Sequence, residues 1–333
     1  MNITILGAGA WGTAMALHVA RQGHTVTLVP RRQEQALELA SSRENRTYLP
    51  GHFLDASIQL GCELAPSLME ADLVFIAYPS SGLAPLIAQL TQTLDREQPP
   101  RLMVSLCKGL DRSTLKRPCE LVAAALPEIP VATLTGPTNA DEVARGLPTA
   151  VVLASTTPGP LSEVQAALSG PSLRAYTSDD LVGAEIGGTL KNVYALGAGF
   201  CDGLNLGSNA KAALLTRSLQ EMVRLGAALG GRAETFLGLS GAGDLIATAH
   251  GTWSRNRGFG EELARDPQAA HAGLLARKSV VEGVWAAQAF AELARRKKVD
   301  APVLATLDQL TQGRLSAAEA VAALMGRDLK REA

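Results

Sequence analysis

Hydrophobic and polar positions follow one rhythm up to about residue 183 and another beyond it. In the first stretch, short runs of aliphatic and β-branched residues recur as NITIL (2–6), TVTLV (25–29), DLVFIAYPS (72–80), RLMVSLCKGL (101–110), VATLTGPTNADEV (131–143) and TAVVLAS (149–155). Helical or loop segments separate them, which is the alternation of a largely parallel sheet with crossover helices. After residue 183 the strand signals fade, and Ala- and Leu-rich segments with helical spacing take over, such as 209–230 and 281–298. A chain of 333 residues also exceeds the ~250 at which one core usually stops growing. The pattern predicts an α/β domain over residues 1–182 and an all-α domain over residues 183–333.

The junction after the first run carries specific chemistry. NITIL ends in Gly7-Ala8-Gly9-Ala10-Trp11-Gly12, and TAMALHVARQG then has helical character as far as Gly23. In such a strand–turn–helix, Gly7 permits the tight turn, Gly9 lets backbone approach a pyrophosphate, and Gly12 lets the helix pack closely on the strand. The phosphates sit at the positive helix N-terminus. This organisation explains the apolar first twenty residues better than a secretory signal, since no basic segment precedes the apolar run. The first domain is therefore expected to be a Rossmann-type, dinucleotide-binding fold.

The second strand leads into VPRRQE, with Arg31 and Arg32 where an NAD-preferring site often carries an acid. Two guanidinium groups suit a 2'-phosphate, so NADPH/NADP is the expected cofactor, with NADH/NAD also possible. Pro79, Lys108, Gly136 and Thr138 fall at the carboxyl ends of later strands, where ligands of such sheets gather. Thr138 is also a candidate helix N-cap, with Glu142 in the following turn.

In the helical half, AEIGGTLKNVYALGAGF (184–200) carries Lys191 and Asn192 through an otherwise apolar run, with Gly187 and Gly188 four and three positions before the lysine. Small neighbours leave room for another element or a ligand to approach the ammonium. A second polar concentration, 239–260, places Asp244 and Thr248 one helical turn apart. It also puts Ser254, Arg255 and Asn256 in succession, a donor set suited to an anion. Taken singly, each has a plainer reading: a solvated lysine, helix caps, a surface arginine. Their convergence in a domain that must hold a substrate favours a site.

Charge and composition narrow the partners. The 31 Lys and Arg against 32 Asp and Glu argue against a general role on nucleic acid or anionic membrane. Four scattered cysteines and five histidines show no metal-ligand spacing, so no metal is expected and a reduced, cytoplasmic setting is. Lys191 interrupts the best candidate for a membrane span.

With these residues placed, the sequence closely resembles the bacterial-type NAD(P)-dependent glycerol-3-phosphate dehydrogenase family. The likeness rests on GAGAWGTA (7–14), KGL (108–110), GPTNADEVARGLPTA (136–150), GGTLKNVYALGAG (187–199), NAKAALLTR (209–217), GAGDL (241–245), SRNRGFG (254–260) and VVEG (280–283). It implies a Rossmann-type domain followed by a helical domain like that of 6-phosphogluconate dehydrogenases. It also implies reversible hydride transfer between NAD(P)H and dihydroxyacetone phosphate, giving sn-glycerol 3-phosphate for glycerophospholipid synthesis, and a homodimer. By the resemblance Lys191 is the general acid/base, and Lys108, Gly136, Thr138, Lys191, Asp244, Ser254, Arg255 and Asn256 bind substrate. Gly7, Gly9, Ala10, Trp11, Gly12, Arg31, Arg32, Lys108, Ala140, Arg255, Val280 and Glu282 are expected at the dinucleotide, and Asn192 and Thr248 beside the lysine. Asn139, Ala242 and Pro30 depart from the family's pattern without removing a chemical group. A β-hydroxyacid or ketopantoate reductase of the same architecture, or a nucleotide sensor without turnover, stays open as an alternative.

Overall fold

A computed structural model describes residues 1–157, 159–277 and 280–326; residues 327–333, the end of the expected helical domain, lie outside the described residues. The chain divides into two compact units, Met1–Glu185 and Ile186–Ala333.

The first unit contains strands β1 (Asn2–Leu6), β2 (Thr25–Val29), β3 (Glu44–Asn45), β4 (Leu49–Phe53), β5 (Gln59–Leu60), β6 (Leu73–Ile76), β7 (Leu102–Ser105), β8 (Val131–Thr135), β9 (Thr149–Ala154) and β10 (Leu173–Ser178). Its helices are α1 (Ala10–Arg21), α2 (Gln33–Ser42), α3 (Leu64–Leu68), α4 (Leu83–Thr93), α5 (Pro118–Ala125), α6 (Ala140–Arg145) and α7 (Leu161–Leu168). Eight strands form one sheet in the order β10-β9-β8-β7-β6-β1-β2-β5, while β3 and β4 pair as a separate antiparallel ribbon. Every neighbouring pair in the large sheet is parallel except β8 and β9. Strand order reverses direction between β1 and β6, so the crevice of this doubly wound sheet opens beyond Leu6 and Ile76.

The central strands are apolar on both faces because both are covered. Ile3, Ile5, Leu28, Phe75 and Val104 pack with Met15 and Val19 of α1. Val74, Ile76 and Met103 pack with Leu83, Leu86 and Leu90 of α4 and Val122 of α5. Such strands read as continuous hydrophobic runs, and these were legible. The edge strand β10 was not: it buries Leu173 and Ala175 but exposes Arg174 and Tyr176, so its sequence offers no such run.

The boundary between the units falls within α8 (Leu181–Gly203). The second unit continues with α9 (Gly207–Ala228), α10 (Ala233–Leu237), α11 (Asp244–His250), α12 (Arg255–Arg265), α13 (Pro267–Gly273), α14 (Glu282–Lys297), α15 (Pro302–Thr311) and α16 (Ala317–Met325). No strand occurs among its described residues. Residues 183–200 of α8 are buried without interruption, so this helix sits inside its fold and carries Glu185, Lys191 and Asn192 into the interior with its apolar residues. Tyr194 and Leu196 of this helix are fully buried, as are Phe236, Phe259 and Phe290 of the same unit. Among the described residues no helix is long and apolar enough to cross a membrane, and no group of metal-ligating side chains clusters.

Candidate active site

The turn after β1 has the geometry its glycines suggest. Gly7 has φ +106°, and a Cβ there would lie 2.5 Å from the Ala77 carbonyl oxygen; at Gly12 a Cβ would lie 2.0 Å from the Gly7 oxygen. Neither position tolerates a side chain, so α1 packs directly on the strand end. Gly9 differs: nothing lies within 4 Å of a Cβ placed there, so its backbone faces open space. Gly9 is the N-cap of α1 and no side chain caps that helix, leaving the first-turn N–H groups for an anion. Trp11 follows in the same turn, its Nε1 buried with no hydrogen-bond partner among the described residues. These features fit a dinucleotide pyrophosphate.

Arg31 and Arg32 are both exposed just past β2. The Arg31 guanidinium lies 3.6 Å from where a Gly82 Cβ would stand, beside the segment that follows β6. Burial raises the Tyr78 phenol above its ordinary value, and the positive charge of Arg31 partly offsets that rise. Arg31 therefore reaches over the ends of β2 and β6, while Arg32 occupies the N-cap of α2.

Lys108, Gly136 and Thr138 converge at the ends of β7 and β8. The Lys108 Nζ donates to the Gly136 carbonyl at 3.0 Å and to Thr138 Oγ1 at 3.0 Å, and Thr138 Oγ1 donates to the same carbonyl at 3.1 Å. Gly136 has φ +129°, which this turn requires. The capping expectation for Thr138 is corrected. Asn139 is the N-cap of α6, accepting from the Asp141 N–H at 3.0 Å, and Thr138 is spent on the lysine instead. Ala140 opens the helix.

In the helical unit Lys191 is 5% exposed. Its Nζ donates to Asp244 Oδ1 at 2.9 Å and to Thr248 Oγ1 at 2.7 Å. Asp244 and Thr248 are each 1% exposed and stand one turn apart on α11, as their spacing suggests. The small residues before the lysine admit the chain that brings Asp244: a Cβ on Gly187 would lie 2.8 Å from the Ser240 oxygen, in the π-helical turn Leu239–Gly243 that leads into α11. Ala242 belongs to this turn.

Ser254, Arg255 and Asn256 do not form one cradle of side chains. Ser254 caps α12, accepting from the Arg257 N–H at 3.2 Å. Arg255 is exposed at the first position of that helix. Asn256 points inward, donating from Nδ2 to Asn192 Oδ1 at 2.9 Å and accepting the Gly283 N–H on Oδ1 at 2.9 Å. This ties α8 and α12 to the start of α14, where Glu282 is the first residue and Val280, 38% exposed, lies just ahead. Asn192 Nδ2 is buried without a hydrogen-bond partner among the described residues.

Sequence reasoning passed over Asn45 and Gln35, whose side-chain amides both donate to the Ala8 carbonyl in the glycine turn, at 2.9 and 2.7 Å. Neither belongs to a motif, and no local sequence signal marks them; their burial shows only in the fold.

A family model described as the N-terminus of NAD-dependent glycerol-3-phosphate dehydrogenase matches residues 2–159, and one described as the C-terminus matches residues 180–322. The chain is 46% identical, over the whole of both chains, to a glycerol-3-phosphate dehydrogenase (NAD(P)+) of Thiobacillus denitrificans. It is 44% identical to one of Ralstonia nicotianae, across 100% of this chain and 99% of that one. Its fold superposes on the crystal structure of glycerol-3-phosphate dehydrogenase from Coxiella burnetii with a TM-score of 0.90 at 35% identity, covering 98% of this chain and 99% of that one.

Proposed function

The chain belongs to the NAD-dependent glycerol-3-phosphate dehydrogenase family, and on that premise we propose that Lys191 exchanges the proton of the reaction while the N-terminus of α12 holds the substrate phosphate. The protein is an oxidoreductase that interconverts dihydroxyacetone phosphate and sn-glycerol 3-phosphate with NAD(P)(H). When bound, the nicotinamide gives or takes the hydride at its C4.

Ketone reduction also needs a proton for the oxygen on which negative charge develops. The Lys191 ammonium polarises the carbonyl and donates that proton; in the oxidative direction the neutral amine accepts it. Asp244 and Thr248 hold the Nζ in one place. That buried, doubly tethered lysine is the observation that carries the reading, because a lysine without such a task would extend to water.

Ser254 shapes the start of α12, where exposed Arg255 adds a guanidinium to the helix's own N–H groups. Asn256, fixed by Asn192 and Gly283, presents no spare motion there. The phosphate does not react, so its binding energy serves to orient the carbonyl. Lys108, with Gly136 and Thr138, adds a positive charge for the substrate. Gly7, Gly9, Ala10, Trp11 and Gly12 seat the pyrophosphate, and Arg31 and Arg32 receive a 2'-phosphate. Ala140, Arg255, Val280 and Glu282 complete the cofactor contacts. Cysteines kept as thiols fit a reducing, cytoplasmic compartment. By family likeness the assembly is a homodimer and its product feeds glycerophospholipid synthesis.

The test is loss of NADPH absorbance with a panel of ketones. Dihydroxyacetone phosphate should exceed carboxylate ketoacids, ketopantoate among them, by about 100-fold or more in kcat/KM, since an anion site shaped for phosphate leaves the competitor mispaired. A ketoacid turned over equally well would reassign the substrate.

A further inference from the structure

The glycine turn is held from behind by two side chains outside every motif. Gly7 carries a positive φ and Gly9 caps α1, so the Ala8–Gly9 peptide between them is the unit whose orientation decides where the turn's N–H groups point. A trans peptide is planar, so its N–H points opposite to its C=O. Fixing the Ala8 oxygen therefore fixes the Gly9 N–H.

That oxygen accepts two hydrogen bonds, from Asn45 Nδ2 at 2.9 Å and from Gln35 Nε2 at 2.7 Å. A carbonyl has two lone pairs, and both are used. Asn45 is 2% exposed and fully engaged: Nδ2 also donates to Thr13 Oγ1 at 2.7 Å, and Oδ1 accepts the Tyr48 N–H at 3.3 Å. Gln35 is 9% exposed on the first turns of α2. Asn45 comes from the β3–β4 ribbon and Thr13 from α1, so the turn is braced by a later segment of the chain that is itself tied to the helix the turn opens. Both donors are neutral amides. A lysine or arginine here would draw a phosphate to the wrong face of the turn, and a carboxylate would repel it.

We infer that Asn45 and Gln35 are positioning residues of the dinucleotide site, locking the Ala8–Gly9 peptide so that its N–H faces the open side of the turn. This deepens the reading of that turn as the pyrophosphate seat, on which it rests. They touch no reacting atom, and their effect runs through cofactor affinity.

The measurement is fluorescence titration of NADPH into the full chain, with steady-state kinetics alongside. Gln35→Met keeps the side chain's length and removes its donor; Asn45→Leu keeps the shape of the other side chain without a donor, and the double variant strips the carbonyl of both. Each single change should raise the NADPH Kd about 10-fold, and the double change should raise it beyond about 100-fold, because only then is a buried carbonyl left with no partner. At saturating NADPH, kcat and the KM for dihydroxyacetone phosphate should stay within about 2-fold of the parent, since no variant touches the Lys191 cluster. Should Asn45→Leu fail to fold, Gln35→Met alone decides the matter. A Kd unchanged within about 2-fold in a folded Gln35→Met chain, with only the melting temperature lowered, overturns the inference. Gly9→Val separates this from the underlying reading: if it too leaves NADPH binding intact, the seat itself is misplaced; if it abolishes binding while the amide variants do not, only the bracing role fails.

Discussion

Lys191 and Arg31 are charged residues with opposite surroundings, and each meets a different demand. Lys191 is buried, and removing Asp244 would leave an uncompensated charge inside the protein, so the carboxylate comes with it, and Thr248 accepts a second hydrogen bond. Its candidacy was visible in the sequence as a cation among small and apolar neighbours, and the i, i+4 spacing of its partners was visible too. Arg31 is exposed and reaches toward Tyr78 and Gly82, where a 2'-phosphate would gain charge-assisted hydrogen bonds. Replacing Arg31 and Arg32 together by serine should move the ratio of kcat/KM for NADPH over NADH toward NADH by about 10-fold or more, the size expected for losing hydrogen bonds to a charged group. An unchanged ratio would make both arginines surface residues. Thr138 marks where single-residue reading fails: its spacing from Glu142 suggested a cap, but Asn139 caps the helix because Lys108 claims the threonine. A competition between partners distant in sequence leaves no local trace.

At the scale of elements, the strands covered on both faces and the long α8 declared themselves by pattern, while couplings between elements did not. The clearest case is α15, which begins at Pro302 with no side-chain cap of its own. Glu221 of α9 supplies it: Oε1 accepts the Val303 N–H at 2.7 Å and Oε2 the Leu304 N–H at 2.9 Å. Burial raises this carboxyl from 4.5 to about 7, outweighing those two donors and the nearby Arg224, with Asp300 adding to the rise. The folded chain thus holds a proton that the unfolded chain releases between pH 4.5 and about 7. Its stabilising contribution is full below the lower value and is lost as pH climbs through the upper one, a span of roughly 3 kcal/mol. Glu221→Gln, uncharged throughout, should flatten this part of the stability profile, so the melting temperatures of parent and variant should diverge between pH 5 and 8 in the variant's relative favour. Parallel curves would show that Glu221 does not titrate in that window. Nothing in the local sequence of α9 announces a cap for a helix some eighty residues later.

For the whole molecule, the mostly parallel sheet of the first unit follows from the alternation of patterns. Runs of β-formers with intervening helices can only build a mostly parallel sheet, and its β1–β6 crevice receives the glycine turn. The motifs read in one order along the chain also identified the family, which the full-length relatives bear out. What remained illegible were β3 and β5, two residues each and too brief for a period, and β4, whose LPGHF is no run of β-formers, although the β3–β4 ribbon carries Asn45 to the glycine turn. The chemistry proposed for this architecture converges on one nitrogen. It is tested most directly by single-turnover and steady-state oxidation of NADPH with dihydroxyacetone phosphate, comparing the parent chain with Lys191→Met at saturating concentrations of both. The expected result is a kcat lower by roughly 100-fold or more with the NADPH Kd unchanged; turnover close to that of the parent would contradict Lys191 as the proton's donor and acceptor.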